Sequence, residues 1–254
     1  MEKQRTVTVS DFGDVCDICH GTGWKVYEKE VEGYNAPLTF SAPCPKCGKR
    51  LFAHDETGIP PGLRSMDLYR FNFKAYRHDM QKFEKIIWSF FNDYEKWKAA
   101  GKGLYLWSET PGSGKTFLSC CLVQSINIKY GCRLRFITAP DYLSIVKDSY
   151  KRQDGERDRS KIYRECELLV VDDIGAQKSG EWQQSEIFRL INARMENGLV
   201  TIYTSNFPTE KLNLDNRVIN RIQKSSIELQ MPEESIRREK AKEEQNKFLK
   251  EIFA

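Results

Sequence analysis

No stretch of this 254-residue chain is apolar for long enough to span a membrane. The opening residues, Met1-Glu2-Lys3-Gln4-Arg5, also lack the apolar centre of a secretory signal. These two absences predict an intracellular, cytoplasmic protein with no membrane partner. No internal repeat is visible, which excludes a stacked-repeat architecture. Nor is there a large excess of one charge. The formal net charge is +4, with residues 1–60 carrying seven Lys/Arg and nine Asp/Glu (net −2) and the remainder netting +6. Such a mildly basic body permits nucleic-acid binding without demanding it. With 40% apolar and 30% charged residues the composition is that of an ordinary soluble chain. The length accommodates one sizeable domain and a small module.

The eight cysteines read as thiols or metal ligands rather than disulfides, given the expected compartment. Cys120, Cys121, Cys132 and Cys166 lie in or beside apolar runs and are expected to be buried small hydrophobes. Cys16, Cys19, Cys44 and Cys47 form two Cys-x2-Cys pairs, with Gly21 and Gly23 after the first and Pro45 and Gly48 around the second. Each pair can place two sulfurs on one ion, and two pairs complete a tetrahedral zinc site; disulfides or unliganded thiols are the alternatives. His20 and His54 could replace a sulfur, but four thiolates already fill the shell. A site so filled is structural, and its use is to present a surface to a partner.

Pro111-Gly112-Ser113-Gly114-Lys115-Thr116 follows the apolar run Leu104-Tyr105-Leu106-Trp107 and leads into Phe117-Leu118-Ser119-Cys120-Cys121-Leu122-Val123. The order predicted is strand, phosphate-binding loop, helix. Small residues let consecutive N–H groups converge on a phosphate chain, and the helix start adds its positive dipole end. Lys115 is expected to reach the β- and γ-phosphates of ATP and the Thr116 hydroxyl to bind magnesium. Glu109 stands where the full motif has glycine, adding a Cβ and a carboxylate near the phosphates.

Leu168-Leu169-Val170-Val171-Asp172-Asp173 reads as a buried central strand ending in two acids. Acids there land beside the phosphate loop, Asp172 to hold magnesium and Asp173 to polarise the attacking water. The strand Leu199–Thr204 ends in Ser205-Asn206, and a polar tip there can orient the γ-phosphate or the water. Arg217 and Arg221 share a face if helical, and an arginine can stabilise charge on a phosphoryl group in transfer.

Along the chain, residues 1–54 read as the zinc-binding module, 55–75 as a linker punctuated by Pro60, Pro61 and Gly62, and 76–254 as the ATPase domain. From Tyr76 to Ala100 apolar residues recur at helical spacing (Met80, Phe83, Ile86, Ile87, Phe90, Phe91, Tyr94, Trp97), predicting one helix. Strands are expected at 103–107, 133–138, 167–172, 200–204 and 226–230. Helices are expected at 115–129, 140–152, 181–196 and 233–252. Residues 151–161 read as a charged loop. The alternation predicts an α/β fold, a three-layer αβα sandwich around a parallel sheet.

The chain resembles the DnaC/DnaI-type helicase loaders, AAA+ ATPases close to the IstB transposition helpers. The residues that carry the likeness are Ile59-Pro60-Pro61, Pro111 to Thr116, Thr138 to Leu143, Leu168 to Gly175, Thr204-Ser205-Asn206, Arg217 to Ile222 and Ser235-Ile236-Arg237, together with Cys-x2-Cys-His-Gly-Thr-Gly-Trp at the front. The resemblance implies that Asn206 is the first phosphate sensor. It implies that Arg221, supported by Arg217, acts on a neighbouring subunit's ATP, and that Arg237 touches the γ-phosphate of its own site. The segment 141–152 corresponds to a helix lining a single-strand path, where Lys147, Tyr150, Lys151 and Arg152 suit backbone charge and base stacking. The function implied is ATP-controlled loading of a replicative DNA helicase onto single-stranded DNA, with self-association through the ATP sites. Two other readings are an IstB-like helper directing a transposase on duplex DNA, and a zinc-dependent adaptor that binds nucleotide with little turnover. Glu109, and Asp173 where many relatives have glutamate, favour slow hydrolysis.

Overall fold

The computed structural model describes residues 18, 24–29, 38–43, 57–150, 158–175 and 180–253. The chain divides into two compact units, residues 1–57 and 58–254. In the first, β1 (Trp24–Lys29) and β2 (Leu38–Pro43) pair antiparallel, with Trp24 opposite Pro43. Cys16, Cys19, Cys44 and Cys47 lie outside the described residues. Among those described, no group of three or more His, Cys, Asp or Glu side chains could hold a metal ion.

The second unit is built on five parallel strands: β3 (Gly103–Trp107), β4 (Leu134–Thr138), β5 (Leu168–Asp172), β6 (Val200–Ser205) and β7 (Ser226–Gln230). Their order across the sheet is β4-β5-β6-β3-β7. Because side chains alternate across a strand, the apolar runs feed two cores. Leu104, Leu106, Leu168, Val170, Val200 and Ile202 face one layer. Tyr105, Leu169, Val171 and Tyr203 face the other. β5 is buried at every position, as a strand covered on both faces must be.

The first layer contains α1 (Gln81–Asn92), α2 (Tyr94–Ala99) and α3 (Lys115–Tyr130). The second contains α4 (Ala139–Ser149), the short α5 (Lys161–Glu165), α6 (Glu181–Glu196) and α7 (Asn216–Ser225). The last helix, α8, runs Ile236–Phe253. The expected strands and these long helices therefore form within a few residues of their predicted limits, and Cys120, Cys121, Cys132 and Cys166 are buried free thiols. Among the described residues no helix is long and apolar enough to cross a membrane.

Two expectations need correction. The single helix over 76–100 is two helices that meet at Asp93, whose φ of −108° and ψ of 27° leave the helical range. The apolar spacing runs through the break because Phe90 packs on both Tyr94 and Trp97, with centroids 5.9 and 5.0 Å away. Nor is the described part of the expected linker a free connection. Residues 58–75 belong to the second unit, where Ile59, Leu68, Phe71 and Phe73 are buried in the first core. The Leu68 N–H donates to Ser125 Oγ at 2.8 Å, and Gln124 Nε2 to the Leu63 carbonyl at 2.6 Å, fastening this segment to α3. Pro61 stops long regular structure, as expected, but the segment folds into three short 3-10 turns instead of leaving the surface.

Candidate functional site

The site forms where β3, β5 and β6 end. After Trp107 the chain turns through 108–114 into α3. Gly112 and Gly114 adopt φ of 83° and 99°, left-handed values that a side chain rarely tolerates. A Cβ on Gly114 would also lie 2.7 Å from the Tyr76 hydroxyl. No side chain caps α3, so its first N–H groups are free to meet an anion.

Lys115 is buried, and its ammonium donates to the Ser108 and Thr110 carbonyls at 3.1 and 3.4 Å and to Ser113 Oγ at 3.3 Å. Burial lowers its pKa, against the pull of Glu233, Asp173 and Asp172. The Thr116 hydroxyl donates to Asp172 Oδ1 at 2.9 Å, and the Thr204 hydroxyl donates to the same oxygen at 2.5 Å. Burial pushes the Asp172 carboxyl above its ordinary range, and the two hydroxyls pull it back only in part. Asp173 has a φ of 57°, the only left-handed non-glycine residue among those described. Its N–H donates to Thr204 Oγ1 at 2.9 Å, and Asn206 Nδ2 donates to its Oδ1 at 3.2 Å. Aspartate is among the few non-glycine residues that visit this region readily, and the bonds to Thr204 and Asn206 hold it there.

The expected residues Pro111 to Thr116, Asp172, Asp173 and Asn206 thus form one constellation. Arg237 reaches it as well: its N–H donates to the Gly112 carbonyl at 3.2 Å, beside a Ser235 hydroxyl that donates to the Pro111 carbonyl at 3.0 Å. Arg217 and Arg221 do share a face of α7. Their guanidinium carbons lie 5.1 and 4.4 Å from the Phe188 ring centroid, with Arg217 paired to Asp215 and Arg221 donating to Asn192. None of these contacts involves a residue of the phosphate loop. Lys147 is exposed on α4, and Tyr150 just after it is exposed with its hydroxyl on Glu186 at 2.9 Å. Lys151 and Arg152 lie outside the described residues.

Glu109 is accommodated without the expected intrusion. Its backbone needs no left-handed φ, and its carboxylate turns outward to Lys211 at 2.7 Å. Sequence reasoning missed Thr204 as the link between the two acids. It also missed a cavity of about 110 Å³ beside Gly114 whose lining includes Phe71, Tyr76, Phe117 and Ile236. Phe71-Asn72-Phe73 ahead of Tyr76 was the available signal: aromatic residues in a stretch otherwise read as linker.

Asp172 yields a prediction. A carboxyl whose folded pKa exceeds its unfolded value destabilises the fold once ionised, so the cost is present at neutral pH and vanishes as pH falls through the unfolded value. Asp172→Asn should therefore raise the nucleotide-free melting temperature by a few degrees (~2–4 °C for each kcal/mol in a domain this size) while abolishing ATP hydrolysis. Differential scanning fluorimetry and a phosphate-release assay read the two effects. A lower melting temperature would contradict the burial argument.

A parallel sheet in the order β4-β5-β6-β3-β7, with a phosphate loop after β3 and an acid pair at the end of β5, is a P-loop ATPase fold of the AAA+ kind. The chain belongs to the family of IstB-like ATP binding proteins, whose model matches residues 101–244. Among solved structures it is similar to the DnaC helicase loader, at 22% identity and a TM-score of 0.59 over 68% of this chain and 100% of that one. It is also similar to a replication initiator DnaA bound to AMPPCP and single-stranded DNA, at 20% identity and a TM-score of 0.56 over 73% of this chain and 56% of that one. A curated relative, the chromosomal replication initiator protein DnaA of Burkholderia cenocepacia (strain HI2424), is 31% identical over 129 residues, covering 50% of this chain and 24% of the relative. The chain thus spans about a quarter of the length of the curated relatives it matches.

Proposed function

We propose that this protein is an ATP-dependent helicase loader that binds a replicative DNA helicase and single-stranded DNA during replication initiation. The observation that carries the ATPase part is the bonded set Thr116–Asp172–Thr204 with Asp173–Asn206, set against the buried Lys115. The loader part is supported by the motifs quoted from the sequence, by the paired cysteines ahead of the domain, and by the likeness in fold to a helicase loader.

In this reading the free N–H groups at the start of α3 receive the phosphates, and Lys115 moves from the Ser108 and Thr110 carbonyls onto them. The hard oxygens of Thr116 and Asp172 fit magnesium, which when bound neutralises phosphate charge. It would also compensate the buried Asp172 carboxylate. Asp173, held by Asn206, accepts a proton from the attacking water. The wall of Phe71, Tyr76 and Phe117 receives the adenine ring. Arg237 meets the γ-phosphate of its own site. Arg221, supported by Arg217, projects from α7 toward the ATP of a neighbouring copy, so hydrolysis is slow until copies and partners assemble. Lys147, Tyr150, Lys151 and Arg152 line the path of the DNA strand. Residues 1–54 form a zinc-binding module that grips the helicase.

The test is co-purification with the host's replicative helicase, with and without ATP, using the wild type and Cys16→Ser, with zinc measured in the same preparations. The expected result is ATP-sensitive association, about one zinc per chain, and loss of association in the variant. No helicase association in either state sinks the loader reading. ATP-dependent assembly on duplex DNA with a transposase would replace it by the IstB-like one.

A further inference from the structure

The segment joining β7 to α8 lies against the phosphate loop, and Glu233 makes the densest contact. Its carboxylate accepts the Glu109 N–H at 3.0 Å, the Thr110 N–H at 2.7 Å and the Ser108 hydroxyl at 3.1 Å. Hydrogen bonds to a carboxylate are about twice as strong as those between neutral groups.

The partners across the backbone give these bonds their meaning. The Glu109 N–H and the Ser108 carbonyl belong to one planar peptide unit and point in opposite directions. Glu233 holds the N–H side of that unit, and Lys115 Nζ rests on the carbonyl side at 3.1 Å. The carboxylate thus sets the plane on which the Lys115 ammonium sits. The same segment continues the grip through the Ser235 hydroxyl on the Pro111 carbonyl and the Arg237 N–H on the Gly112 carbonyl.

We propose that Glu233 is a positioning residue of the ATP site: it orients the Ser108–Thr110 backbone and, through it, the resting place of Lys115, so that the loop is preformed for phosphate. The inference rests on the ATP-site reading above. Glu233 touches neither the expected nucleotide nor the reacting atoms, so its removal acts on nucleotide affinity and leaves chemistry nearly intact.

The experiment is steady-state ATP hydrolysis by full-length wild type, Glu233→Ala, Glu233→Gln and Lys115→Ala, with melting temperatures for all four. Glu233→Ala should raise KM for ATP about tenfold, the loss of one charge-assisted acceptor, with kcat within about threefold. Glu233→Gln keeps one of the two acceptor oxygens and sets an amide NH2 against the donors of the other, so its KM should fall between wild type and Glu233→Ala. An unchanged KM in Glu233→Ala overturns the proposal. So does an equal defect in Glu233→Gln, where one acceptor oxygen remains, and so does a collapse of kcat together with the melting temperature, which would make the residue merely structural. Hydrolysis by Lys115→Ala equal to wild type would instead sink the ATP-site reading, and with it the premise of this one.

Discussion

Lys115→Ala should lose ATP hydrolysis by on the order of 10²–10³-fold, the scale of removing one electrostatic contact from a preorganised site. The ammonium is the cation that faces Glu233, Asp173 and Asp172, and all three carboxylates pull its pKa upward. Alanine leaves Asp172 and Asp173 to repel an incoming triphosphate, so binding and turnover should fall together. Thermal upshift by ATP and magnesium should disappear for the same reason. The nucleotide-free protein should melt no lower than wild type. Burial is the largest influence on Lys115 and lowers its pKa, so the charged form is held at a cost that alanine removes. A phosphate-release assay beside a melting curve separates the outcomes: lost hydrolysis with an intact melting curve is expected. Retained hydrolysis would mean that the loop is not the reaction centre.

How far the sequence discloses this site depends on the range of each interaction. The phosphate loop and the acids after β5 were legible because each is local. Glycines at left-handed φ, a helix start and an apolar strand ending in charge all leave a pattern within a dozen residues. Periodicity failed at Asp93, where Phe90, Tyr94 and Trp97 keep helical spacing across a backbone break. It failed again at 58–75, because the burial of Ile59, Leu68, Phe71 and Phe73 is decided by α3 and not by any local repeat. Thr204 was named only as part of a motif, and neither its bond to Asp172 nor the role of Glu233 was legible, for the same reason. A hydroxyl at the end of β6 and a carboxylate after β7 acquire meaning only when parallel strand order brings them to Asp172 and to the loop. Glu109 shows the converse: its departure from the motif was plain, but its outward turn to Lys211 was not.

Arg194 carries the largest stability prediction. It sits in the last turn of α6 with 1% of its surface exposed, and its partners include neutral oxygens rather than a carboxylate. Its Nε donates to Thr201 Oγ1 at 2.8 Å, one terminal nitrogen to the Tyr163 and Cys166 carbonyls at 2.7 and 2.9 Å, and the other to the Val200 carbonyl at 2.7 Å. The planar fork fastens the end of α5, the approach to β5 and the start of β6, and the dipole of α6 favours a cation at its C-terminal end. Alanine would remove the cost of burying the guanidinium, which lowers its pKa, but it would also leave three backbone carbonyls without this donor and open a void, for a net expected loss of about 3–5 kcal/mol. At ~2–4 °C per kcal/mol that lowers the melting temperature by roughly 10 °C or more. Arg194→Lys should recover little, since one ammonium cannot span the same acceptors. The effect should reach the ATP site, because β5 and β6 carry Asp172 and Thr204 at their far ends and pair in register from Leu168 and Val200. Any shift between those strands would part the Thr204 hydroxyl from Asp172. Urea unfolding of both variants is the measurement, and a loss below about 1 kcal/mol would show that water or a neighbour replaces the guanidinium.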